Sequence, residues 1–241
     1  GYQRPLAMNA TALPGRVEPL TWESGFFAIN SALLTGDLHE ARIDEASLRQ
    51  YDLVQAKILS QQTAELDALS ALGFRFVEGE ADFVLGIGVG GRPEGIRIAR
   101  KEHIPALREV ASSAFAFSRF RAPWYKAEDS GRFYAQWVEN AVLGTFDHQC
   151  LIAVNDQGEL QGFVSLRELA DGSGRIGLLA TLPEAQGLGV GQRMIEAAID
   201  WCRARRLTRL HVATQLGNLP ALRLYHRCGG VIERTAWWLY R

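Results

Sequence analysis

Apolar residues recur at helical spacing in EHIPALREVASSAF, where Ile104, Leu107, Val110, Ala111 and Ala114 share one face. They do so again in SGRFYAQWVENAVLGTF, a helix that Ser130 or Asp129 would cap and Gly144 would close. Around these helices the pattern shortens to strand length, at Ile96 to Ala99, Gln149 to Val154, Leu160 to Leu166 and Arg175 to Thr181. Asp156-Gln157-Gly158 and Asp171-Gly172 read as hairpin-type turns between them. A third amphipathic helix leaves the glycines of LPEAQGLGVGQRMIEAAIDW and runs to about Arg205. Strand Arg209 to Thr214, helix Leu219 to Arg227 and strand Val231 to Tyr240 follow. The order β-α-α-β-β-β-α-β-α-β joins antiparallel hairpins to one β-α-β crossover. It predicts an α/β (α+β) fold, a mixed sheet flanked by helices.

The N-terminal part carries a fainter regularity. LDALSALGFRFVEGEADFVL (66–85) and LRLYHRCGGVIERTAWWLY (222–240) both read as helix, glycine turn and long strand. Aligning Gly73 with Gly229 brings Glu78 opposite Arg234, and the strands around Ala56 and Val212 into step. The N-terminal part is therefore expected to be a partial, degenerate copy of the second half of the C-terminal one, with no glycine-rich loop before a helix and with Leu69 where Tyr225 stands. In GIGVGGRPEG, Gly86 to Gly95, five of ten residues are glycine, which reads as a linker or wide turn. It predicts two domains, 1–94 and 95–241, with any chemistry in the second.

Composition narrows the function classes. With 26 Lys+Arg against 27 Asp+Glu, no bulk field exists to hold nucleic acid or an anionic membrane, so an anion must be bound locally. Apolar runs such as Leu151 to Val154 fall far short of the ~20 residues of a membrane span. Cys150, Cys202 and Cys228 form no CxxC pair and no zinc pattern, so no metal is expected, and free thiols suit the cytoplasm. The N-terminus lacks a signal-peptide core, residues 1–7 read as a non-native leader before Met8, and the Asn9-Ala10-Thr11 sequon reads as chance.

The glycines at 187, 189 and 191 stand at the mouth of a helix. They read either as a cap with a flexible loop or as an anion cradle. In the cradle, missing side chains would let a phosphate reach backbone N–H groups at the positive end of the helix dipole. A P-loop requires Gly-Lys-Ser/Thr, but Gln192 and Arg193 follow Gly191; a dinucleotide fingerprint requires GxGxxG and a later acid that Thr208 to Thr214 lacks. What remains is Gln186-x-x-Gly189-x-Gly191 after a strand and before a helix, followed by GNLPALRLYHRCGGV. In these residues the chain resembles the GNAT superfamily of acyl-CoA N-acyltransferases over roughly residues 96–241. PLTWESGFF, FRAPWY, FYAQWVENAVLGTFDHQCLI, RIGLLA, VATQLGN and the terminal WLYR extend the resemblance to the two-domain TDP-fucosamine acetyltransferase family of bacteria.

The resemblance implies a GNAT fold, acetyl-CoA as cosubstrate, and transfer to the 4-amino group of dTDP-4-amino-4,6-dideoxygalactose for a polysaccharide of the enterobacterial common antigen type. It also implies a homodimer. Gln186, Gly187, Leu188, Gly189, Val190, Gly191 and Gln192 would hold the pyrophosphate. Leu179, Ala180 and Thr181 would pair with the pantetheine arm, with an N–H near Leu179 or Ala180 facing the oxyanion. Asn218 would complete the acetyl-CoA site, and Tyr225 would be the general acid; the alternative is a tyrosine that only packs its helix onto the sheet. A free amine attacks a thioester directly, so the cysteines can be structural. His148, Glu168 and His211 are candidate bases, and water could relay the proton instead. In SRFRAPWYK, Arg119 and Arg121 could bind the phosphates of the dTDP-aminosugar while Trp124 and Tyr125 stack on a ring; a partly packed surface loop is the alternative. The rivals are a GNAT acting on another amine, such as a different aminosugar or a protein N-terminus, and a non-catalytic acyl-CoA-binding module.

Overall fold

A computed structural model of the chain describes residues 13–36 and 42–241; the Asn9 sequon and the segment before Met8 lie outside the described residues. The chain divides into two compact units: residues 1–80 with 234–241, and residues 81–233. The sequence pattern had pointed to a boundary near residue 94, whereas this division falls between Glu80 and Ala81. It crosses the long strand β6 (Arg75–Gly86), so the glycine run is an internal connector of the second unit rather than a linker. Arg203 pins that connector by donating to the carbonyls of Ile87 and Gly88, at 3.1 Å each.

In the first unit, β2 (Arg16–Pro19) pairs antiparallel with β3 (Ser31–Thr35), with helix α1 (Thr21–Phe27) between them. β3 pairs in parallel with β5 (Leu53–Leu59), and β5 antiparallel with β12 (Val231–Tyr240). The two-residue strands β1 (Leu13–Pro14) and β4 (Arg42–Ile43) form a separate pair, and the short helix α2 (Glu45–Leu48) precedes β5. Helix α3 (Thr63–Ala71) closes a core of Leu34, Leu48, Val54, Leu69, Leu72 and Phe74.

The segments aligned on Gly73 and Gly229 share their boundaries. β5, α3 and β6 begin at Leu53, Thr63 and Arg75; β11 (Arg209–Gln215), α7 (Leu219–Arg227) and β12 begin at Arg209, Leu219 and Val231, each 156 residues later. Gly73 and Gly229 both take the left-handed conformation that frees the chain from its helix, with φ of 90° and 89°.

The second unit is the expected mixed sheet flanked by helices, in the order β6, β11, β10 (Gly174–Thr181), β9 (Leu160–Glu168), β8 (Gln149–Val154), β7 (Ile96–Ile98). β7 to β10 pair antiparallel, and β10 with β11 in parallel across the crossover helix α6 (Val190–Ala204). Helices α4 (Ile104–Ala114) and α5 (Asp129–Leu143) pack together. Alternation along β9 separates the two faces. Val164 and Leu166 join the core with Met194 and Ile195 of α6, whereas Ser165 points to a residue bonded by Trp137 of α5. No side chain caps α5, contrary to the expected Ser130 or Asp129 cap. Asp129 is the first helical residue and is buried, its carboxylate accepting from Lys126 N–H at 3.0 Å and from Arg132 at 3.2 Å. Gly144 closes the helix in the left-handed conformation, as the pattern implied. Among the described residues no helix is long and apolar enough to cross a membrane.

Candidate active site

Two strands part in the middle of this sheet. The register of β10 with β11 runs from Gly174–Leu210 to Ile176–Val212 and ends there, although β10 continues to Thr181 and β11 to Gln215. Beyond Ile176, β10 keeps β9 on one side and presents its other edge to an opening. A strand edge without a ladder partner offers main-chain donors and acceptors to an extended ligand.

A bulge decides which groups face that opening. Gly177 and Leu178 together oppose the single residue Ser165, between the pairs Ile176–Leu166 and Leu179–Val164. Before the bulge, Leu169 N–H donates to Ser173 O at 2.8 Å; after it, Leu182 N–H donates to Gln161 O at 2.9 Å. Antiparallel pairing alternates bonded and non-bonded positions. From these two bonds the alternation sends the N–H groups of 175 and 177, then 180 and 182, toward β9. Leu178 N–H also turns that way, donating to Ser165 Oγ at 2.8 Å. The N–H groups of Leu179 and Thr181 are left facing the opening. Of the two oxyanion-donor candidates, Leu179 therefore has the suitable direction and Ala180 does not.

The glycine loop follows at once. A 3₁₀ turn at Pro183–Ala185 leads into Gln186, and Gly187 and Gly189 take φ of 80° and 77°, a left-handed conformation that side chains disfavour. A Cβ on either would meet nothing within 4 Å, so the space beside them is open. Gly189 is the N-cap of α6 and no side chain caps that helix, leaving the N–H groups of Val190, Gly191 and Gln192 without partners inside it. Leu188 is exposed and Val190 buried. Gly191 has a different reason to be glycine than was expected: its Cβ would stand 2.9 Å from Leu224 Cδ2, so it lets α6 approach α7 rather than clearing space for a ligand.

Helix α7 begins where β11 ends. Asn218 caps it, Oδ1 accepting from Ala221 N–H at 3.3 Å. Tyr225, two turns on, is 5% exposed, with its ring edge-on to Phe83 at 5.5 Å in the core that holds Ile176 and Val212. Burial pushes its hydroxyl well above the ordinary tyrosine value, and the Cys228 thiol nearby adds to the shift. The cysteines are poor nucleophiles for the same reason: burial raises Cys150 and Cys228, and takes Cys202 up to about 12.

The loop between α4 and α5 reaches the same end of the sheet. A Cβ on Gly217 would lie 3.3 Å from the Phe117 ring, so that exposed ring rests on the backbone where β11 gives way to α7. Beyond it, the Arg119 guanidinium lies 4.3 Å from the Phe120 ring centroid and that of Arg121 5.1 Å from the Trp124 ring. Tyr125 differs from its neighbours: only 5% exposed, it packs edge-on against Phe120 at 5.3 Å and has no open face on which a ligand ring could stack.

The three candidate bases part company. His148 and Glu168 are exposed and bonded to each other, His148 Nδ1 accepting Glu168 N–H at 2.9 Å. His211 is buried on β11 beside the last paired position; Arg209 donates to its Nε2 at 3.2 Å, while Nδ1 is buried without a hydrogen-bond partner, 3.9 Å from Glu233. Asp82, His211 and Glu233 bring ligand-type atoms within 4.8 Å of one another, but Asp82 gives both oxygens to Arg175 at 2.9 and 3.2 Å, which neutralises its charge.

The group around Asp147 was not singled out in the sequence: Trp137, Asp147 and Leu178 lie in stretches that carry the family resemblance, but nothing in those stretches marks contacts between residues scattered from 137 to 178. Its carboxylate, fully buried, accepts Trp137 Nε1–H at 2.7 Å, Ser165 Oγ–H at 2.6 Å and Arg167 Nη1–H at 2.7 Å.

Comparison with known proteins agrees with this geometry. The model of the Acetyltransferase (GNAT) family matches residues 105–230. The chain is 50% identical over 225 residues to dTDP-fucosamine acetyltransferase of Escherichia coli O6:H1, covering 93% of this chain and 97% of that one. The crystal structure of a GCN5-related N-acetyltransferase from Sphaerobacter thermophilus superposes with a TM-score of 0.57 at 19% identity, over 78% of this chain and 59% of that one. A GCN5-related N-acetyltransferase from Kribbella flavida gives 0.54 at 17% identity, over 87% and 80%.

Proposed function

Because the chain belongs to the GNAT family of acetyltransferases, and so is an acetyl-CoA-dependent N-acetyltransferase, we propose that its acceptor is the 4-amino group of dTDP-4-amino-4,6-dideoxygalactose. The observation that carries this reading is the 50% identity, along nearly the full length of both chains, to a relative named for that acceptor. Its product would serve assembly of a surface polysaccharide. The first unit is read as a degenerate copy without chemistry: it holds the strand and helix of 53–71 and the start of the following strand, yet buries Leu69 where Tyr225 stands in the second copy.

The chain's own groups divide the work. N–H groups from Gly187 to Gln192 hold the pyrophosphate of acetyl-CoA at the positive end of α6. The open edge of β10 from Leu179 to Thr181 binds the pantetheine arm as a further strand, with Asn218 at the opposite rim. The amine nitrogen bonds to the thioester carbon and the C–S bond breaks. Leu179 N–H stabilises the negative oxygen between those events, and Tyr225 donates to the departing sulfur. Water relays the proton the amine releases, because Arg209 already donates to Nε2 of His211, the buried candidate base. Arg119 and Arg121 take the diphosphate of the sugar nucleotide, and Trp124 stacks on its base.

Mass spectrometry of products from acetyl-CoA and a panel of dTDP-aminosugars tests the acceptor. One acetyl group should appear on the 4-amino-4,6-dideoxygalactose nucleotide, with its C4 epimer and the 3-amino isomers turned over at least roughly tenfold more slowly. Equal turnover across the panel would remove the acceptor assignment and leave the acetyltransferase. Trp124→Ala should raise KM for the sugar nucleotide about tenfold, as expected for one lost stacking contact, with KM for acetyl-CoA unchanged; equal rises in both would move Trp124 out of the acceptor site.

A further inference from the structure

We propose that Asp147 and Ser165 form a positioning clamp that selects Leu179, rather than its neighbour, as the amide facing the thioester carbonyl. The inference rests on the reading above that a β10 main-chain N–H serves the oxyanion.

The bulge at Gly177–Leu178 is what places Leu179 N–H on the open side of β10. Without it the alternation carried from Leu169–Ser173 would continue, Leu178 N–H would face the opening, and Leu179 N–H would turn to β9. A bulge leaves one N–H outside the ladder, and where that N–H is buried it needs another partner. Here that partner is the Ser165 hydroxyl, which accepts Leu178 N–H at 2.8 Å and donates its own proton to Asp147 Oδ2 at 2.6 Å. Because the hydroxyl's proton goes to Asp147, its lone pairs are directed to Leu178. Trp137 and Arg167 fix the carboxylate in turn.

The surroundings are shaped around this arrangement. Ser165 is fully buried, and Asp147 is held in the left-handed region at φ 54°. Gly177 has no room for a side chain, since a Cβ there would overlap the carboxylate and stand 2.9 Å from both Asp147 Cγ and Ser165 Oγ. A buried carboxylate with three donors is a costly way to fill a core. Its position against the bulge gives it a task that an apolar residue of the same size could not perform.

Ser165→Ala tests the clamp. The change leaves Leu178 N–H buried without a partner, and a one-residue slip of the bulge relieves this by exchanging the directions of Leu178 and Leu179. With the donor displaced by an ångström or more, kcat should fall about 20-fold. Affinity for coenzyme A should stay within about twofold, because the glycine loop is untouched. The spectroscopic readout is the infrared carbonyl stretch of bound acetonyl-CoA, a ketone analogue of the thioester donor. Its hydrogen-bonded red shift in the wild type should be lost in Ser165→Ala. Val138→Ala, a cavity in α5 outside the network, serves as the control; it should lower Tm yet keep both kcat and the red shift.

If Ser165→Ala does not fold, Ser165→Cys, with its weakly accepting sulfur, carries the same comparison. A full red shift in the Ser165 variant, or a kcat loss no greater than that of Val138→Ala, overturns the clamp. A wild type that binds coenzyme A but shows no red shift overturns instead the oxyanion reading on which the clamp depends.

Discussion

Gly189→Asp is expected to weaken acetyl-CoA binding by a few hundredfold while the protein still folds. Gly189 caps α6 in the left-handed conformation, beside open space and ahead of three N–H groups that no side chain satisfies. An aspartate there would cost ~1–2 kcal/mol of backbone strain. Its charge acts separately on the ligand: a carboxylate roughly 5 Å from the pyrophosphate, at an effective dielectric constant of ~20, opposes binding by about 3 kcal/mol. Gly189→Asn isolates the charge, because asparagine has nearly the same shape, tolerates the left-handed region and carries no charge; it should bind only about twofold more weakly than wild type. Calorimetric titration with acetyl-CoA reads both. If the aspartate variant binds within about threefold of wild type, the pyrophosphate does not sit at this helix and the assignment of residues 186–192 falls with it.

The loop and its helix were legible because their signals are local. Alternate glycines, a strand before and an amphipathic helix after lie within about twenty consecutive residues, and each carries its own steric or periodic reason. The repeat of 53–86 in 209–240 was visible for a similar reason, since the glycine turns at Gly73 and Gly229 punctuate both segments at the same place. Short pieces such as β1, β4 and α2 span only two to four residues, too few for any period to show. The roles of single residues were harder to see, because contacts between residues distant in sequence set them. Gly191 looked like part of the anion cradle until Leu224 appeared against it, and Tyr125 looked like a stacking platform until Phe120 covered it. The Asp147 network is the extreme case, joining Trp137, Ser165, Arg167 and the Leu178 amide through one carboxylate. The bulge it holds cannot be read from GRIGLLAT, since inserting a residue into a strand leaves its apolar pattern readable in either register.

Tyr225→Phe is expected to lower kcat by about 100-fold with acetyl-CoA affinity within about twofold of wild type, the lower end of what a positioned proton donor contributes. The substitution keeps the ring that packs edge-on against Phe83 and removes only the hydroxyl, so Tm should change little. Chemistry favours hydrogen bonding over complete transfer at that hydroxyl. Ordinary values of about 10 for a phenol and 8.5 for a thiol already make transfer to the thiolate uphill by ~2 kcal/mol, and burial of Tyr225 widens the gap. A donor of this kind lowers the barrier by sharing its proton with the sulfur as the C–S bond lengthens. The same shift fixes the sign of the pH dependence. With its folded-state value raised, Tyr225 keeps its proton from neutral pH to beyond about 10, the value for an unfolded tyrosine, so the alkaline side of the kcat profile should show no loss from this group below that pH. Folding stability drawn from the neutral phenol is complete below about pH 10 and declines only above it. An alkaline limb near pH 9 that disappears in Tyr225→Phe would show that the tyrosine does ionise there, and equal turnover by the two proteins would remove it from the reaction.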